Sequence, residues 1–279
     1  MFPGSIGGKI VGGWIQQIHT RKSVRQYQQQ LNSQLTGQVM HCLQSPSLLN
    51  ENQLRLRLLP GEEVHPHLSG FIGSYGKIRA PLYIAAICDG KHQSLLNLGF
   101  AVERIVLELT AMGLGTCWIG GFFDKNQLSE ELELTGADTV HALIALGQTA
   151  SQTWNRALKA AAGMSRRLPV ERLLPKNFPL DSWLHSNPGW EHILSALRRA
   201  PSAVNRQPWR LYPDNNVIHV YSARPKLKNL TGRFTPIDIG IALCHLRLAA
   251  EDVGVNCDFF QAEEPPTTEW DYQLSARWN

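Results

Sequence analysis

The chain of 279 residues contains two blocks of sequence that each occur twice, in the same order. Residues 45–60, SPSLLNENQLRLRLLP, match residues 200–214, APSAVNRQPWRLYPD, with the shared Pro, Ser and Asn 155 positions apart. Residues 98–118 match residues 239–259, with two shared glycines and a shared alanine 141 positions apart. Blocks that recur in a fixed order predict two copies of one structural unit. The alternative is two amphipathic helices that follow similar loops.

The spacing of the repeats also predicts how the chain is divided. The two spacings differ by 14 residues, so the first copy has 14 extra residues, and the 61–77 loop is the natural place for them. Residues 165–188 carry four prolines and are predicted to connect the copies. The predicted division is a loosely ordered, glycine-rich leader at 1–19, a first repeat at 20–178 and a shorter second repeat at 179–279.

Two helices dominate the predicted architecture. Residues 95–112 and 237–250 are apolar on nearly every side, and a helix of this kind must be buried all round. Two such helices related by duplication can cover each other, as central helices do at a homodimer interface. Short apolar runs at 81–88, 141–147 and 217–221 predict strands. The predicted fold class is α+β: two half-similar repeats form an intrachain pseudo-dimer, with central helices packed on antiparallel or mixed sheets.

Composition narrows the classes of partner. Hydrophobic residues at 43% and charged residues at 18% are typical of a globular protein. The net charge of +4 is spread along the chain, without the basic block that follows a nucleic-acid backbone. The five cysteines form no Cys-x-x-Cys pair, which argues against a zinc site or disulfide framework and fits a reducing cytoplasm. No apolar run reaches the roughly 18 residues of a membrane span. We therefore expect a cytoplasmic protein without nucleic-acid, membrane or metal partners.

Residues 20–27, TRKSVRQY, form the first of three segments with chemical potential. Arg21, Lys22, Ser23 and Arg25 offer cationic and hydroxyl donors within one predicted helical turn. Arginine forks suit phosphate oxygens by geometry as well as by charge. The alternative is a short solvated basic surface.

Residues 200–212, APSAVNRQPWRLY, form the second segment. Pro201 stiffens the backbone, and the side chains of Ser202 and Asn205 can donate hydrogen bonds to a polar ligand. The alternative is a proline-bounded helix end followed by a core tryptophan.

Residues 113–124, GLGTCWIGGFFD, form the third segment and follow the first apolar helix. Glycines here would allow a ligand to approach the backbone closely. The alternative is a glycine that ends the long helix.

These segments resemble the motifs of the nitroreductase family: Arg-x-Ser-x-Arg, Ala-Pro-Ser-x-x-Asn-x-Gln-Pro-Trp, and a glycine loop beside the flavin. The resemblance covers most of residues 20–260 and looks closest to the branch that carries two half-similar repeats in one chain. It implies an α+β fold, bound FMN, and NADH or NADPH as donor for reducing nitro compounds, quinones or flavins through flavin N5. Residues 165–174 are similar to the phosphate-contacting segment that ends family chains, with Arg167 better matched than Arg166.

The resemblance implies one surviving cofactor site. Family members build two equivalent sites from two identical subunits. Here the first copy's Pro-Ser segment lacks the Gln-Pro-Trp ending, and the second copy lacks both the basic segment and the glycine loop. We therefore expect one FMN site and an empty counterpart. The implied cofactor-binding residues are Arg21, Lys22, Ser23, Arg25, Trp118, Ile119, Gly120, Gly121, Arg166, Arg167, Pro201, Ser202, Ala203, Asn205 and Gln207.

No catalytic acid or base is expected, because hydride passes directly between nicotinamide and flavin. The histidines at positions 41, 141, 192 and 245 are interpreted as packing residues, and Cys117 as an inert thiol without an evident cationic partner. The expected partner is a small-molecule electron acceptor, and the expected state is a monomer, because the repeat uses the family's dimer surface internally. Two alternatives stay open: a non-catalytic flavin-binding or regulatory protein, and a relic of the fold without flavin.

Overall fold

The computed structural model describes residues 13–69, 78–150, 166–224, 232–266 and 269–278. These residues form two compact units. The first unit contains the described residues from 20 to 150. The second contains residues 13–19 and the described residues from 166 onward. Residues 166–178, which the sequence analysis assigns to the end of the first copy, therefore pack with the second unit.

The described part of the expected leader is helical. Helix α1 (Trp14–Thr20) buries Trp14 and Ile18, and the backbone N–H of Ile15 donates to Asp252 Oδ2 at 2.7 Å. The expectation of a loosely ordered leader is wrong for these residues, because two apolar side chains spaced four apart pack on the second unit. The rest of the leader, residues 1–12, lies outside the described residues.

The first unit is a four-stranded antiparallel sheet with helices on both faces. The elements in chain order are α2 (Ser33–Gln44), β1 (Arg55–Pro60), α3 (Gly61–Val64), β2 (Leu82–Cys88), α4 (His92–Ala111), β3 (Gly115–Ile119), α5 (Lys125–Glu131) and β4 (Thr139–Gly147). The strands are ordered β1-β2-β4-β3. Helix α4 contacts β2 and β3, and α5 contacts β4.

The second unit also contains a four-stranded antiparallel sheet. Its elements are α6 (Leu180–Ser186), α7 (Trp190–Arg198), β5 (Trp209–Asp214), β6 (Val217–Ser222), α8 (Thr235–Asp252), β7 (Cys257–Phe260) and β8 (Asp271–Trp278). The strand order β5-β6-β8-β7 is the same as in the first unit. His245 of α8 is fully buried, and its Nδ1 lies 3.0 Å from the carbonyl oxygen of Ala196 in α7.

Matching details show that the two units share one architecture, as the predicted duplication requires. Gly113 after α4 and Gly254 after α8 both have a positive φ, of 78° and 75°. After each glycine the next residue donates its N–H to a carbonyl five positions back, Leu114 to Leu109 and Val255 to Ala250. This is the Schellman ending of a helix, at the spacing of 141 residues seen in the sequence. Each copy also has a register shift in its second strand.

The connection between β1 and β2 is longer than its counterpart in the second unit, and residues 70–77 of the predicted 61–77 insertion lie outside the described residues. The chain between β1 and β2 runs from residue 61 to residue 81, whereas β5 and β6 are joined by a turn at Asn215 and Asn216. Gly61 begins this connection, and a Cβ there would lie 2.3 Å from the carbonyl oxygen of Ala80. Only glycine allows the connection to leave the sheet so closely beside its own return.

The two helices predicted to be apolar all round are α4 and α8, and most of their residues are buried. The predicted strands at 81–88, 141–147 and 217–221 correspond to β2, β4 and β6. The α+β fold class is therefore confirmed, with sheets that are antiparallel throughout the described residues.

Candidate functional site

The basic segment follows the edge of the first sheet. Ser23 forms an isolated bridge with Thr116 of β3, and the N–H of Val24 donates to the Thr116 carbonyl at 2.8 Å. The prediction of one helical turn is wrong here, because the backbone bonds to an edge strand about ninety residues later instead of to itself. Lys22 is exposed, whereas Arg21 and Arg25 are partly buried.

Gly115 allows the segment to approach the sheet. A Cβ at this position would lie 2.8 Å from Val24 Cγ2 and 2.7 Å from Thr149 Oγ1. Contacts this short would push the segment from β3. The glycine is therefore required for the packing of the basic segment.

A buried carboxylate joins two of the predicted site residues. Glu103 of α4 has a fully buried side chain, and its Oε2 accepts a hydrogen bond from Trp118 Nε1 at 2.8 Å. Arg21 Nε lies 3.7 Å from Glu103 Oε1, and the Arg21 side chain is 7% exposed. Glu103 is not among the site residues predicted from the sequence. The available signal was a charged residue within an otherwise apolar helix, because a buried charge needs a partner.

Three side chains of the basic segment influence the pKa of the Cys117 thiol. Burial raises the pKa of Cys117, while Arg25, Arg21 and a hydrogen bond from Ser23 lower it in part. The cationic partners that the sequence did not reveal are thus present, but burial has the larger effect. Because its pKa is raised, the thiol stays protonated at neutral pH, which agrees with an inert Cys117.

The predicted glycine loop is shorter than expected. Residues 115–119 form strand β3, so Trp118 and Ile119 point to opposite faces of the sheet. Ile119 belongs to the apolar core of the unit, whereas Trp118 bonds to Glu103 of helix α4. The loop proper begins at Gly120 and Gly121. Pairing with β4 draws the first half of the motif into the sheet.

Phe122 follows the two glycines and is 37% exposed, with a φ of 64°. Its carbonyl accepts the N–H of Ser69 at 2.7 Å, and the next bond of this loop joins Asp124 N–H to the His67 carbonyl. Two backbone bonds therefore hold the loop after Gly121 in one path.

In the second unit, Arg167 is bonded to the end of helix α7. Its Nη1 donates to the carbonyl of Ala200 and to Asn205 Oδ1, both at 2.9 Å, and Nη2 donates to the carbonyl of Arg199 at 3.0 Å. A cation beside the last carbonyls of a helix complements the helix dipole. Arg167 thus holds the Pro-Ser segment against α7.

The side-chain amides of Asn205 and Gln207 bind the backbone of the neighbouring residues 166–168. Asn205 Nδ2 and Gln207 Nε2 donate to the Arg166 carbonyl at 2.8 and 3.1 Å. Gln207 Oε1 accepts the N–H of Leu168 at 2.9 Å. The side chains of Asn205 and Gln207 therefore fix residues 166–168, and Arg166 contributes its carbonyl to this network.

The backbone of the Pro-Ser segment is strained. Val204, Asn205 and Gln207 have φ of 46°, 58° and 51°, a left-handed conformation that is costly for Val and Gln. Ser202 Oγ accepts the N–H of Gln207 at 2.9 Å and closes the turn. Pro201 and Ala203 are half-buried beside it.

Asp238 of α8 lies next to this turn and was not predicted. Its side chain is buried, and Oδ1 accepts the N–H of Ala203 at 2.9 Å. Burial raises the pKa of Asp238 to about 7, although the Ala203 N–H and Arg206 both lower it. As with Glu103, the signal in the sequence was an acidic residue within an apolar helix.

The described residues contain no cluster of three or more His, Cys, Asp or Glu side chains suited to a metal ion. In the same part of the chain, none of the helices combines the length and the apolar character that crossing a membrane requires.

Comparison with protein families settles the relationship of the chain. A family model described as "Putative TM nitroreductase" matches residues 14–250. The chain belongs to this nitroreductase family. Membership confirms the resemblance seen in the motifs and makes this nitroreductase an oxidoreductase in general class, of a family that acts on small molecules.

Solved structures of nitroreductases are among the proteins to which this chain is similar. A "putative nitroreductase" from Thermotoga maritima is 21% identical, with a TM-score of 0.60, and the match covers 99% of this chain and 98% of that one. An FMN-dependent nitroreductase from Clostridium difficile is 20% identical, with a TM-score of 0.44 and coverage of 58% and 98%. No curated protein matches this nitroreductase. The similarity to the Thermotoga structure shows that the two chains share a fold.

Proposed function

We propose that this nitroreductase binds FMN and uses NADH or NADPH to reduce small acceptors such as nitro compounds, quinones or flavins. The flavin would supply the chemistry, accepting and donating hydride at N5. The observation that carries the proposal is a convergence within the first unit. Arg21 of the basic segment, Glu103 of α4 and Trp118 of β3 meet at one sheet edge, directly before Gly120 and Gly121.

The donor groups at this edge suit a phosphate. Arg21 Nε is buried and has no hydrogen-bond acceptor among the described residues, and its ion pair with Glu103 spans 3.7 Å. A buried cationic N–H in this state favours an anionic oxygen as partner. We propose that Arg21, Lys22 and Arg25 hold the phosphate, with Ser23 as a hydroxyl donor.

The residues beside the ring would orient it. The bond to Glu103 fixes the indole of Trp118 in one rotamer, and Gly120 and Gly121 leave the backbone open to a planar ligand. Backbone N–H groups that are fixed in advance stabilise negative charge without reorganising. Ile119 would contribute through the core beneath the strand.

The residues of the second unit would act mainly by shaping the Pro-Ser segment. The side chains of Arg167, Asn205 and Gln207 donate hydrogen bonds within the second unit. The carbonyl of Arg166 accepts the bonds from Asn205 and Gln207. Pro201, Ser202 and Ala203 are the members of this set that we propose to contact FMN. A cytoplasmic location belongs to the same proposal and fits the five free cysteines.

A spectrum of the purified protein tests the function. We expect flavin absorption that is bleached when NADH or NADPH is added without oxygen and returns when a quinone or nitro compound is added. Bound flavin that is not bleached by either donor would indicate the alternative, a non-catalytic flavin-binding or regulatory protein. A protein that takes up no FMN would overturn the proposal.

A double substitution tests the phosphate site. Arg21→Ala with Arg25→Ala should weaken FMN binding by two or more decades, since charge-assisted hydrogen bonds contribute about 1.5 to 3 kcal/mol each. The matched control is Arg55→Ala with Arg57→Ala, which removes two exposed arginines of β1 in the same unit. Fluorescence titration with FMN gives both dissociation constants. An unchanged constant in a folded Arg21/Arg25 variant would exclude this segment from the site.

A further inference from the structure

Asp238 is a buried acid with an unsatisfied oxygen beneath the Pro-Ser segment. Its side chain is 2% exposed, and Oδ1 accepts the Ala203 N–H at 2.9 Å. Its other oxygen, Oδ2, is buried without a hydrogen-bond partner among the described residues. An unsatisfied carboxylate oxygen in this setting is costly, and a proton removes most of the cost.

The first copy has an uncharged amide at the position of this acid. Asn97 stands 141 positions before Asp238, at the equivalent place in α4, and is fully buried. Its Oδ1 accepts the N–H of Leu49 at 2.8 Å, and its Nδ2 donates to the Asn52 carbonyl at 2.7 Å. An amide at this position therefore satisfies both of its polar groups. The second copy has a titratable group where a neutral one serves the same packing.

The segments above the two residues also differ. Val204, Asn205 and Gln207 of the second copy are left-handed, whereas none of residues 46–53, all of them described, has a positive φ. Strain of this kind persists only where surrounding contacts hold it. The Ala203 N–H bond to Asp238 is one of these contacts, so the acid lies under the strained turn and not under its relaxed counterpart.

We propose that Asp238 is a positioning residue that links closure of the 201–207 segment to one proton, with the segment closed more tightly when the carboxyl is protonated. The effect on the cofactor rests on the function proposed above, whereas the effect on the segment does not. Opening the segment would break the Ala203 bond and hydrate the carboxyl, which would then ionise and release its proton to solvent.

The direction follows from the electrostatic surroundings. Burial raises the pKa of Asp238 to about 7. The Ala203 N–H and the Arg206 guanidinium, both in the 201–207 segment, lower this pKa, but burial has the larger effect. Two further cations of the second unit, Arg167 and Arg198, donate to backbone carbonyls. Opening would return the pKa to its ordinary acidic range. The state with the higher pKa is favoured by protonation, so acid closes the segment.

Hydrogen exchange on the full-length protein tests the linkage. After the intrinsic exchange rate is divided out, opening of residues 199–207 should increase about tenfold per pH unit between pH 5 and pH 7 and level off above it. Residues 46–53, held by Asn97 in the same molecule, are the internal control and should show no such dependence. Asp238→Asn should remove the dependence from residues 199–207. Equal behaviour of the two segments in the wild type, or a dependence retained in the variant, would overturn the proposal.

The release of FMN gives a second readout. Its dissociation rate should rise with pH between 5 and 7 in the wild type, because release requires opening. Ionisation of a phosphate with a pKa of about 6 acts in the opposite direction, since the dianion is bound more tightly by arginines. Asp238→Asn should show only this opposite trend. A protein that binds no FMN would contradict the proposed function, and the exchange experiment would still decide the role of Asp238.

Discussion

Val204 is a β-branched residue in the left-handed region of the backbone, with a φ of 46°, and it is 72% exposed. Its side chain makes little packing contribution to lose, whereas the left-handed conformation costs roughly 1 to 2 kcal/mol for such a residue. A conformation this costly at an exposed position indicates that the path of the turn, and not its stability, is what the sequence maintains.

Val204→Gly should therefore stabilise the protein, by about 1 kcal/mol, because glycine adopts this conformation without steric cost. Urea unfolding measures the change. Asn215→Gly, in the turn between β5 and β6 with a φ of 51°, is the matched control and should change stability by only a few tenths of a kcal/mol, because asparagine tolerates this conformation. Destabilisation by Val204→Gly would show that the exposed side chain makes contacts that the strain argument omits.

Asp238 also makes the stability of the molecule depend on pH. Burial raises its folded-state pKa from 3.8 to about 7, so the folded state holds the proton more tightly than the unfolded state does. The contribution of this group to the free energy of unfolding therefore falls as the pH rises from about 4 to about 7. Above pH 7 the full cost of the buried charge is present.

The Tm of Asp238→Asn, relative to that of the wild type, should consequently be higher at pH 8 than at pH 5. Circular dichroism followed on heating at the two pH values measures it. Asp258→Asn, which removes an exposed carboxylate of β7, is the control. Its Tm should differ from that of the wild type by the same amount at both pH values. A relative Tm of Asp238→Asn that does not change with pH would contradict the argument.

The glycines that end α4 and α8 act on whole elements. Gly113 and Gly254 are left-handed, and a Cβ at either position would meet no atom within 4 Å. Substitution by alanine should therefore destabilise through the backbone alone, by about 1 kcal/mol each. Gly37, within α2, has equally open surroundings but no positive φ, so Gly37→Ala should stabilise by roughly 0.5 to 1 kcal/mol. Thermal unfolding of the three variants checks the opposite signs.

Sequence reasoning succeeded for elements whose signal is local. The long apolar helices, the three short strands and the longer connection between β1 and β2 were predicted, because periodicity and spacing carry them. It failed for residues 20–27, where the determining partner is β3, an edge strand far along the chain. The same limit applies to Glu103 and Asp238. Their importance depends on which backbone or indole group lies beside them after folding, and a single chain does not encode that in nearby residues.

At the scale of the whole molecule, the unequal copies predict the stoichiometry. Within the described residues, the strained segment above an acid belongs to the second copy, and the basic segment beside β3 belongs to the first. We therefore expect about one FMN per chain, measured as flavin released on denaturation per mole of protein. We also expect a monomer, with a sedimentation-equilibrium mass near 31.2 kDa. A flavin ratio near two would contradict the idea of a single surviving site.

The path of residues 20–27 along β3 limits how this segment can change in evolution. An exposed edge strand invites pairing with other chains, and the bridge from Ser23 to Thr116 shields this edge. Selection against aggregation thus acts on the backbone of the segment whether or not its side chains hold a ligand. If a descendant lost the proposed cofactor, the backbone of the segment would be retained while Arg21 and Arg25 were free to change. The presence of Arg21 and Arg25, and not the presence of the segment that carries them, would then indicate that an ancestor bound the proposed cofactor.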